Sequence, residues 1–194
     1  AGTGKTTLIA ALVAALKELR IKPVLLAPTG RAAKVLARYC GEQALTIHKR
    51  IYRQRTNADY ESKFSLDFNR EQGAVFIVDE ASMLSDSTGD GALFGSGSLL
   101  EDLVSYVRSG RGCRLILVGD SAQLPPVGCD FSPALDPATV SRYGEVVYGL
   151  MDEVVRQQMQ SGILFNATLV RCMLENRIYE IPKFEMDYPD FESV

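Results

Sequence analysis

The residues best suited to chemistry stand in the first stretch of the chain, a glycine-rich turn that leads into a segment with helical apolar spacing. Gly4, Lys5 and Thr6 match the end of the phosphate-binding pattern G-x-x-x-x-G-K-[ST], whose opening glycine would precede residue 1. In such a loop backbone N–H groups surround a phosphate, the lysine neutralises outer phosphates, and the threonine hydroxyl binds Mg²⁺. The predicted phosphate-binding residues are Gly2, Thr3, Gly4, Lys5, Thr6 and Thr7.

An isolated match of this kind also arises by chance in a polar loop, so the prediction depends on an acidic partner elsewhere. Asp79 and Glu80 supply one, directly after the apolar run from Ala74 to Val78. An aspartate at the end of a buried strand can hold the Mg²⁺ that Thr6 binds, and the adjacent glutamate can deprotonate an attacking water. Paired acids also cap helices, but the upstream loop favours the catalytic interpretation.

A third polar turn follows another predicted strand, Cys113 to Val118. Asp120 and Gln123 are expected on the rim where ligands bind in open α/β sheets. Pro125 and Pro126 would stiffen the exit of this loop, so that a movement of Gln123 would be transmitted along the chain.

The elements that must position these residues alternate between short apolar strands and amphipathic helices. This rhythm predicts an α/β fold with a mostly parallel sheet and helices on both faces. The first helix should bury a stripe formed by Leu8, Ile9, Leu12, Val13, Leu16 and Leu19. The other predicted strands are Pro23 to Ala27 and Glu145 to Tyr148. The other predicted helices are Arg31 to Cys40, Leu99 to Arg108 and Ser161 to about Asn176. The residues of the last helix that should point inward are Ile163, Leu164, Ala167, Val170 and Leu174.

Composition indicates an ordinary globular chain. Its 194 residues suit one domain, with a fragment of a second, and the net charge of −3 neither supports nor excludes nucleic acid. Four scattered cysteines form no C-x-x-C pair, which favours a reducing, cytoplasmic compartment. No apolar run approaches the roughly 18 residues that a membrane span requires.

A basic segment from Lys49 to Arg55 follows the lone histidine, His48. Cations interleaved with a tyrosine can track a nucleic-acid strand, because phosphates attract Lys and Arg while bases stack on aromatic rings. The alternative, a solvated helix face, is the commoner origin of such runs. Residues 56 to 72 receive no element, and Ser85 to Ser98 is predicted to be a mobile surface loop.

Together these motifs resemble the RecD-like and Dda-like branch of superfamily 1B DNA helicases. The most specific of them is G-D-x-x-Q-L-P-P-V-G, because many unrelated ATPases share the phosphate loop. The matching segments are Ala1 to Thr7 (motif I), Ala27 to Ala33 (Ia), Thr46 to His48, Val78 to Met83 (II), Val118 to Gly128 (III) and Val155 to Gln157 (IV).

The resemblance implies a RecA-like P-loop NTPase domain that uses ATP and Mg²⁺ to move 5′ to 3′ along single-stranded DNA and to unwind duplex. It implies that Thr6 and Asp79 bind the metal. The catalytic residues it implies are Lys5, Glu80 as general base, Gln123 as γ-phosphate sensor and Arg156 as arginine finger. Thr29, Arg31, Thr46 and His48 would face DNA.

The resemblance also implies a division of the chain. Residues 1–176 would form the first of two motor domains, and residues 177–194 would start a connection to the second, so this piece alone should hydrolyse ATP negligibly. Expected partners are single-stranded DNA and single-strand/duplex junctions, with no membrane, and proteins of DNA repair, recombination or conjugation, between which the sequence does not choose. Two alternatives remain: another P-loop ATPase of DNA metabolism, and a DNA-binding assembly subunit that does not hydrolyse ATP.

Overall fold

The protein divides into two compact units, Lys5–Gly149 and a smaller one that combines Leu150–Val194 with Ala1–Gly4. The computed structural model describes residues 4–56, 62–86, 94–151 and 162–188. Across these residues, no helix combines the length and the apolar character that crossing a bilayer requires.

Four strands of the larger unit form a parallel sheet in the order β2-β1-β5-β6, and two more form an antiparallel hairpin. Val78 of β5 pairs with Leu26 of β1 on one side and with Leu117 of β6 on the other. The predicted α/β class with a parallel sheet is confirmed. In chain order the strands are β1 (Pro23–Ala27), β2 (Ala44–Thr46), β3 (Tyr52–Thr56), β4 (Ser62–Leu66), β5 (Val75–Val78) and β6 (Arg114–Leu117).

Helices cover both faces of this sheet, because alternate residues of β5 are buried in different clusters. Val75 and Ile77 pack with Ile9 and Leu36, while Phe76 and Val78 pack in a second cluster with Leu103. Every residue of β5 is therefore buried, as an inner strand of a parallel sheet must be. The helices of this unit are α1 (Lys5–Glu18), α2 (Gly30–Cys40), α3 (Ile47–Ile51), α4 (Leu99–Ser109) and α5 (Pro137–Ser141), with 3₁₀ turns at Ala81–Met83 and Pro133–Leu135.

Two local predictions for the larger unit need correction. Leu8 and Leu19 are exposed and do not join the buried stripe of α1, because the face against the sheet is centred on Ile9 and Val13 and the helix ends before Leu19. The segment Glu145 to Tyr148 is not a strand: it joins no sheet, and Val147 is 95% exposed, so no neighbour supplies the ladder bonds.

The segment between α3 and β5 folds into the hairpin that the sequence analysis left unassigned. The basic run from Lys49 to Arg55 therefore spans the end of α3 and strand β3 instead of one helix face. Phe64 of β4 stacks on Phe94, with ring centroids 4.5 Å apart, and ties the hairpin to the segment before α4. Half of the predicted mobile loop, residues 87–93, lies outside the described residues.

In the smaller unit α6 (Gly162–Glu175) carries a chain segment that folds back along it. Buried Asn166 donates to the carbonyls of Gly162 and Glu185 and accepts the N–H of Glu185 at 2.8 Å. The covered face of α6 is thus centred on a polar residue, and Ile163 and Leu174, predicted to point inward, are more than half exposed.

One hydrogen bond anchors the start of the hairpin to α4 and gives the first testable prediction. The Tyr52 hydroxyl donates to the buried Asp102 carboxylate at 2.6 Å. We expect Tyr52→Phe to lower the free energy of unfolding by about 1–3 kcal/mol, because Asp102 loses a buried partner. Urea denaturation of the two proteins measures the difference.

The matched control is Tyr106→Phe. Tyr106 is equally buried and packs edge-on against Phe76, and within the described chain its hydroxyl has no hydrogen bond. Its loss should cost little, so equal effects of the two substitutions would refute the assigned role of the Tyr52 bond.

Candidate active site

The carboxyl ends of the four parallel strands bring the predicted site residues of the larger unit to one edge of the sheet. Thr46 pairs with Ala27, and the N–H of Asp79 continues the ladder by donating to Leu26 O at 3.0 Å. Val118 N–H donates to Val78 O at 2.8 Å, so the turn after β6 starts beside Asp79. Ligands bind at this edge in open α/β sheets.

Lys5 reaches the same edge from the first residue of α1. Its ammonium donates to Asp120 Oδ2 at 3.2 Å; the Asp120 side chain is 3% exposed and that of Lys5 is 20% exposed. The predicted phosphate-binding lysine is thus paired with an acid of the G-D turn. The sequence predicts Asp120 on the rim without a role for it, and its position shortly after the predicted strand Cys113 to Val118 was the available signal.

The Asp79 carboxyl group is affected by a hydrogen bond from the neighbouring backbone and by its burial. Its Oδ1 accepts the N–H of Glu80 at 2.9 Å. Burial raises the pKa of the Asp79 carboxyl above its ordinary value of 3.8, while the Glu80 N–H and the nearby Lys5 charge act in the opposite direction. This half-buried carboxylate therefore lacks sufficient compensating positive charge, which a divalent cation would supply.

Glu80 has an unusual backbone for a residue with a side chain. Its φ of 54° and ψ of 38° lie in the left-handed region, immediately before the 3₁₀ turn at Ala81–Met83. Its Oε2 is buried, and among the residues that the structure describes it has no hydrogen-bond partner. Non-glycine residues adopt this conformation at a cost of about 1–2 kcal/mol, and such strain gathers at functional sites.

The turns after β5 and β6 are packed tightly against each other. Ala81 N–H donates to Val118 O at 2.9 Å, and Ser82 Oγ donates to Gln123 Oε1 at 3.4 Å. A Cβ on Gly119 would lie 3.0 Å from Ser82 N and 2.8 Å from a methyl group of Leu135, so only glycine permits this approach. Ser82, which the sequence analysis did not single out, links the two turns.

These groups suit a nucleotide with Mg²⁺. Magnesium is usually held in such sites by one or two carboxylates together with substrate phosphates. Within the described ranges, no three His, Cys, Asp or Glu side chains gather as a protein-only metal site. Asp79 and Thr6, in the first turn of α1, supply oxygens that would hold the metal of such a phosphate-assisted site, and the Lys5 ammonium would neutralise the phosphates.

The two threonines predicted to face DNA are helix caps at the same edge. Thr29 Oγ1 accepts the N–H of Ala32 at the start of α2, and Thr46 Oγ1 accepts the N–H of Lys49 at the start of α3, both at 3.2 Å. Each hydroxyl still has its own proton to donate to a phosphate oxygen. Arg31, in the first turn of α2, is exposed.

His48 and two of the cations near it have partners within the protein. The His48 ring packs edge-on against Phe94 at 5.1 Å, and burial lowers its pKa. Arg50 pairs with Glu71 at 2.7 Å, and Arg53 pairs with Asp67 at 2.7 Å. The basic run is therefore used largely for internal ion pairs, with Lys49 exposed.

Some predicted site residues lie outside the described residues, namely Gly2, Thr3 and Arg156. Gly4 has a φ of 79°, which suits the glycine of a tight turn. The roles assigned to all these residues stay predictions.

Comparison with known proteins identifies the family. A family model described as "AAA domain" matches residues 1–169. The chain belongs to the AAA domain family. This assignment agrees with a nucleotide site at the carboxyl edge of the sheet.

Two of three similar curated proteins carry RecD names, and one of these two is named a DNA helicase. The ATP-dependent RecD2 DNA helicase of Deinococcus radiodurans is 32% identical over 65% of this AAA domain chain and 15% of its own length. The RecBCD enzyme subunit RecD of Mycobacterium tuberculosis is 33% identical over 80% of the chain and 30% of its length. An uncharacterized protein of Methanocaldococcus jannaschii is 34% identical over 66% of the chain and 11% of its length.

The AAA domain chain therefore spans less than a third of each of these relatives. The resemblance to RecD-like superfamily 1 helicases is confirmed, and the comparisons support a helicase-like P-loop ATPase.

The raised pKa of Asp79 predicts the sign of a pH effect. A raised pKa means that the folded state binds the proton more tightly than the unfolded chain, so ionisation costs stability as the pH rises above 3.8. Asp79→Asn should increase the free energy of unfolding at neutral pH, and this gain should shrink as the pH falls towards 3.8. Urea titrations at a series of pH values measure it.

Asp136 serves as a control, because its substitution should change the free energy of unfolding in the opposite direction. Hydrogen bonds from the Thr139 hydroxyl and N–H lower the Asp136 pKa, so its contribution to stability is present above 3.8 and is lost as the pH falls through the folded value. Asp136→Asn should therefore destabilise the neutral protein. The same sign for both variants would contradict the assignment.

The strain at Glu80 predicts a second difference in stability. Asn tolerates the left-handed region better than other residues with side chains, whereas Gln keeps the strain and the side-chain length. We expect Glu80→Asn to be more stable than Glu80→Gln by about 1 kcal/mol, measured by urea denaturation. Both variants lose the same charge, so equal stabilities would show that the backbone at residue 80 is unstrained.

Proposed function

We propose that this chain is the ATP-hydrolysing motor domain of a DNA helicase that moves 5′ to 3′ along single-stranded DNA and unwinds duplex. The observation that carries the proposal is the convergence of Lys5, Asp79 and Gln123, from three separate motifs, on one edge of the sheet. The name of the Deinococcus radiodurans relative, an ATP-dependent DNA helicase, supports DNA as the polymer on which the motor acts.

Each residue has a role that follows from its chemistry. The Lys5 ammonium neutralises the outer phosphates of ATP, while Thr6 and Asp79 would hold Mg²⁺, which supplies positive charge at the transferring phosphoryl group. The Glu80 oxygen Oε2, which has no hydrogen-bond partner among the described residues, is proposed to accept a proton from the attacking water. Arg156 is proposed to neutralise charge in the transition state.

Coupling to DNA is proposed to run through the turn that carries Gln123. The Gln123 side chain contacts Ser82, which lies shortly after Asp79 and Glu80 in the turn that follows β5. The hydroxyls of Thr29 and Thr46, with Arg31 and His48, are proposed to contact the DNA backbone at the same edge.

The proposal also includes the domain organisation, the DNA partners and the cellular compartment. Residues 1–176 are proposed to act as a first motor domain and residues 177–194 as a connection to a second. Single-strand/duplex junctions are the proposed DNA partners, and the cytoplasm is the proposed compartment, because the scattered cysteines suit reducing conditions. Proteins of repair, recombination or conjugation are candidate partners.

The decisive measurement is ATP hydrolysis by the full-length protein with and without single-stranded DNA. DNA should raise the rate many-fold, and Lys5→Ala should lower it by about 10²-fold or more, because the phosphates lose their counter-charge. Gln123→Ala should reduce the stimulation by DNA about three- to thirty-fold while basal hydrolysis changes less.

Matched controls come from the same elements. Lys17→Ala removes the other lysine pair of α1, with Glu42, and Gln43→Ala removes an exposed glutamine before β2, at the opposite edge of the sheet. Both should leave hydrolysis unchanged. Hydrolysis that ignores DNA would instead support a P-loop ATPase of another kind, and translocation towards the 5′ end would refute the proposed direction.

A further inference from the structure

The proposed chemistry gives no role to Asp120, the acid that pairs with Lys5. Asp120 is almost fully buried, and a buried carboxylate is stable only when hydrogen bonds and positive charge compensate its lost hydration. Lys5 provides positive charge at 3.2 Å. The same ammonium is the group that the phosphates of a nucleotide require.

The two demands on Lys5 oppose each other. A nucleotide brings several negative charges to the start of α1, and Asp120 adds another next to the ammonium that must neutralise them. Like charges in a partly buried site repel strongly, so the contact with Asp120 must weaken as the phosphates bind. The paired state is therefore a competitor of the nucleotide-bound state.

Asp120 also organises the turn that presents Gln123. Its other carboxylate oxygen, Oδ1, accepts the N–H of Ala122 at 3.1 Å, and its carbonyl accepts the N–H of Gln123 at 3.1 Å. Gln123 in turn accepts the hydroxyl proton of Ser82. A single carboxylate thus contacts the phosphate-binding lysine through one oxygen and the Gln123 turn through the other.

We propose that Asp120 is a positioning residue that competes with nucleotide phosphates for Lys5 and links the release of Lys5 to the Gln123 turn. This inference rests on the proposed nucleotide site. Without nucleotide, Asp120 holds the ammonium; on binding, the ammonium turns to the phosphates, and the carboxylate, left with less compensation, shifts the turn. The competition weakens nucleotide binding. It also makes the position of the Gln123 turn depend on whether a nucleotide is bound.

The test is the affinity of the full-length protein for Mg²⁺-ADP, measured by titration calorimetry. Asp120→Asn keeps an oxygen for the Ala122 N–H but removes the charge that attracts Lys5. We expect nucleotide to bind about three- to thirty-fold more tightly, because the charged hydrogen bond that must be broken is gone. A variant that was merely damaged would bind more weakly.

Asp120→Ala separates the two contacts of the carboxylate. It also removes the charge, so it should tighten nucleotide binding, but it loses the bond to Ala122 and should therefore lose the stimulation of hydrolysis by DNA. Either variant tests the competition, so a folding failure of one leaves the test intact. Glu42→Gln, which breaks the Lys17 ion pair at the other end of α1, should leave the affinity unchanged.

The outcomes distinguish this inference from the proposed function. If the unaltered protein binds Mg²⁺-ADP and the folded Asp120 variants bind it equally or more weakly, the competition is overturned and the nucleotide site stands. If the unaltered protein binds no nucleotide, both are overturned. Tighter binding in the variants with an unchanged Glu42→Gln control supports the competition.

Discussion

The site depends on one constraint, the burial of β5 between two parallel neighbours. All four of its residues are buried, and its ladder continues past Val78 on both sides, through the N–H groups of Asp79 and Val118. Because a shift of register by one residue would exchange its two buried faces, the position of the strand end is strongly specified. Asp79 and Glu80 therefore stand at a defined place beside the turn after β6.

Charge at this edge is arranged for function at some cost in stability. Burial disfavours the Asp79 carboxylate, Glu80 has a left-handed backbone, and Asp120 is buried beside Lys5. A different residue would relieve each of these features, and a bound cation would compensate the Asp79 carboxylate. An α/β core of this size can support such strain, because the surrounding apolar clusters hold both faces of the sheet.

Sequence patterns predicted the elements whose stabilising partners are local or periodic. The helix α2 ends at Cys40 because Gly41 adopts a left-handed conformation, and Thr29 caps its start, both of which are short-range signals. The hairpin of β3 and β4 was missed because its anchors, Phe94 and Asp102, are distant in sequence. The apolar run at Val147 was misassigned because no neighbouring strand is available to it, which periodicity does not reveal.

The sequence by itself determined the chemistry of the site: a phosphate loop with its lysine, an acidic pair after an apolar run, and a polar turn after another. Those signals are local, since each motif carries its own turn and strand. Only the tertiary structure decided which of these groups meet. It paired Lys5 with Asp120, residues 115 positions apart, and it buried the Glu80 oxygen without a partner. The reason is physical, because charge compensation and strain depend on distances through space, which the order of residues along the chain does not specify.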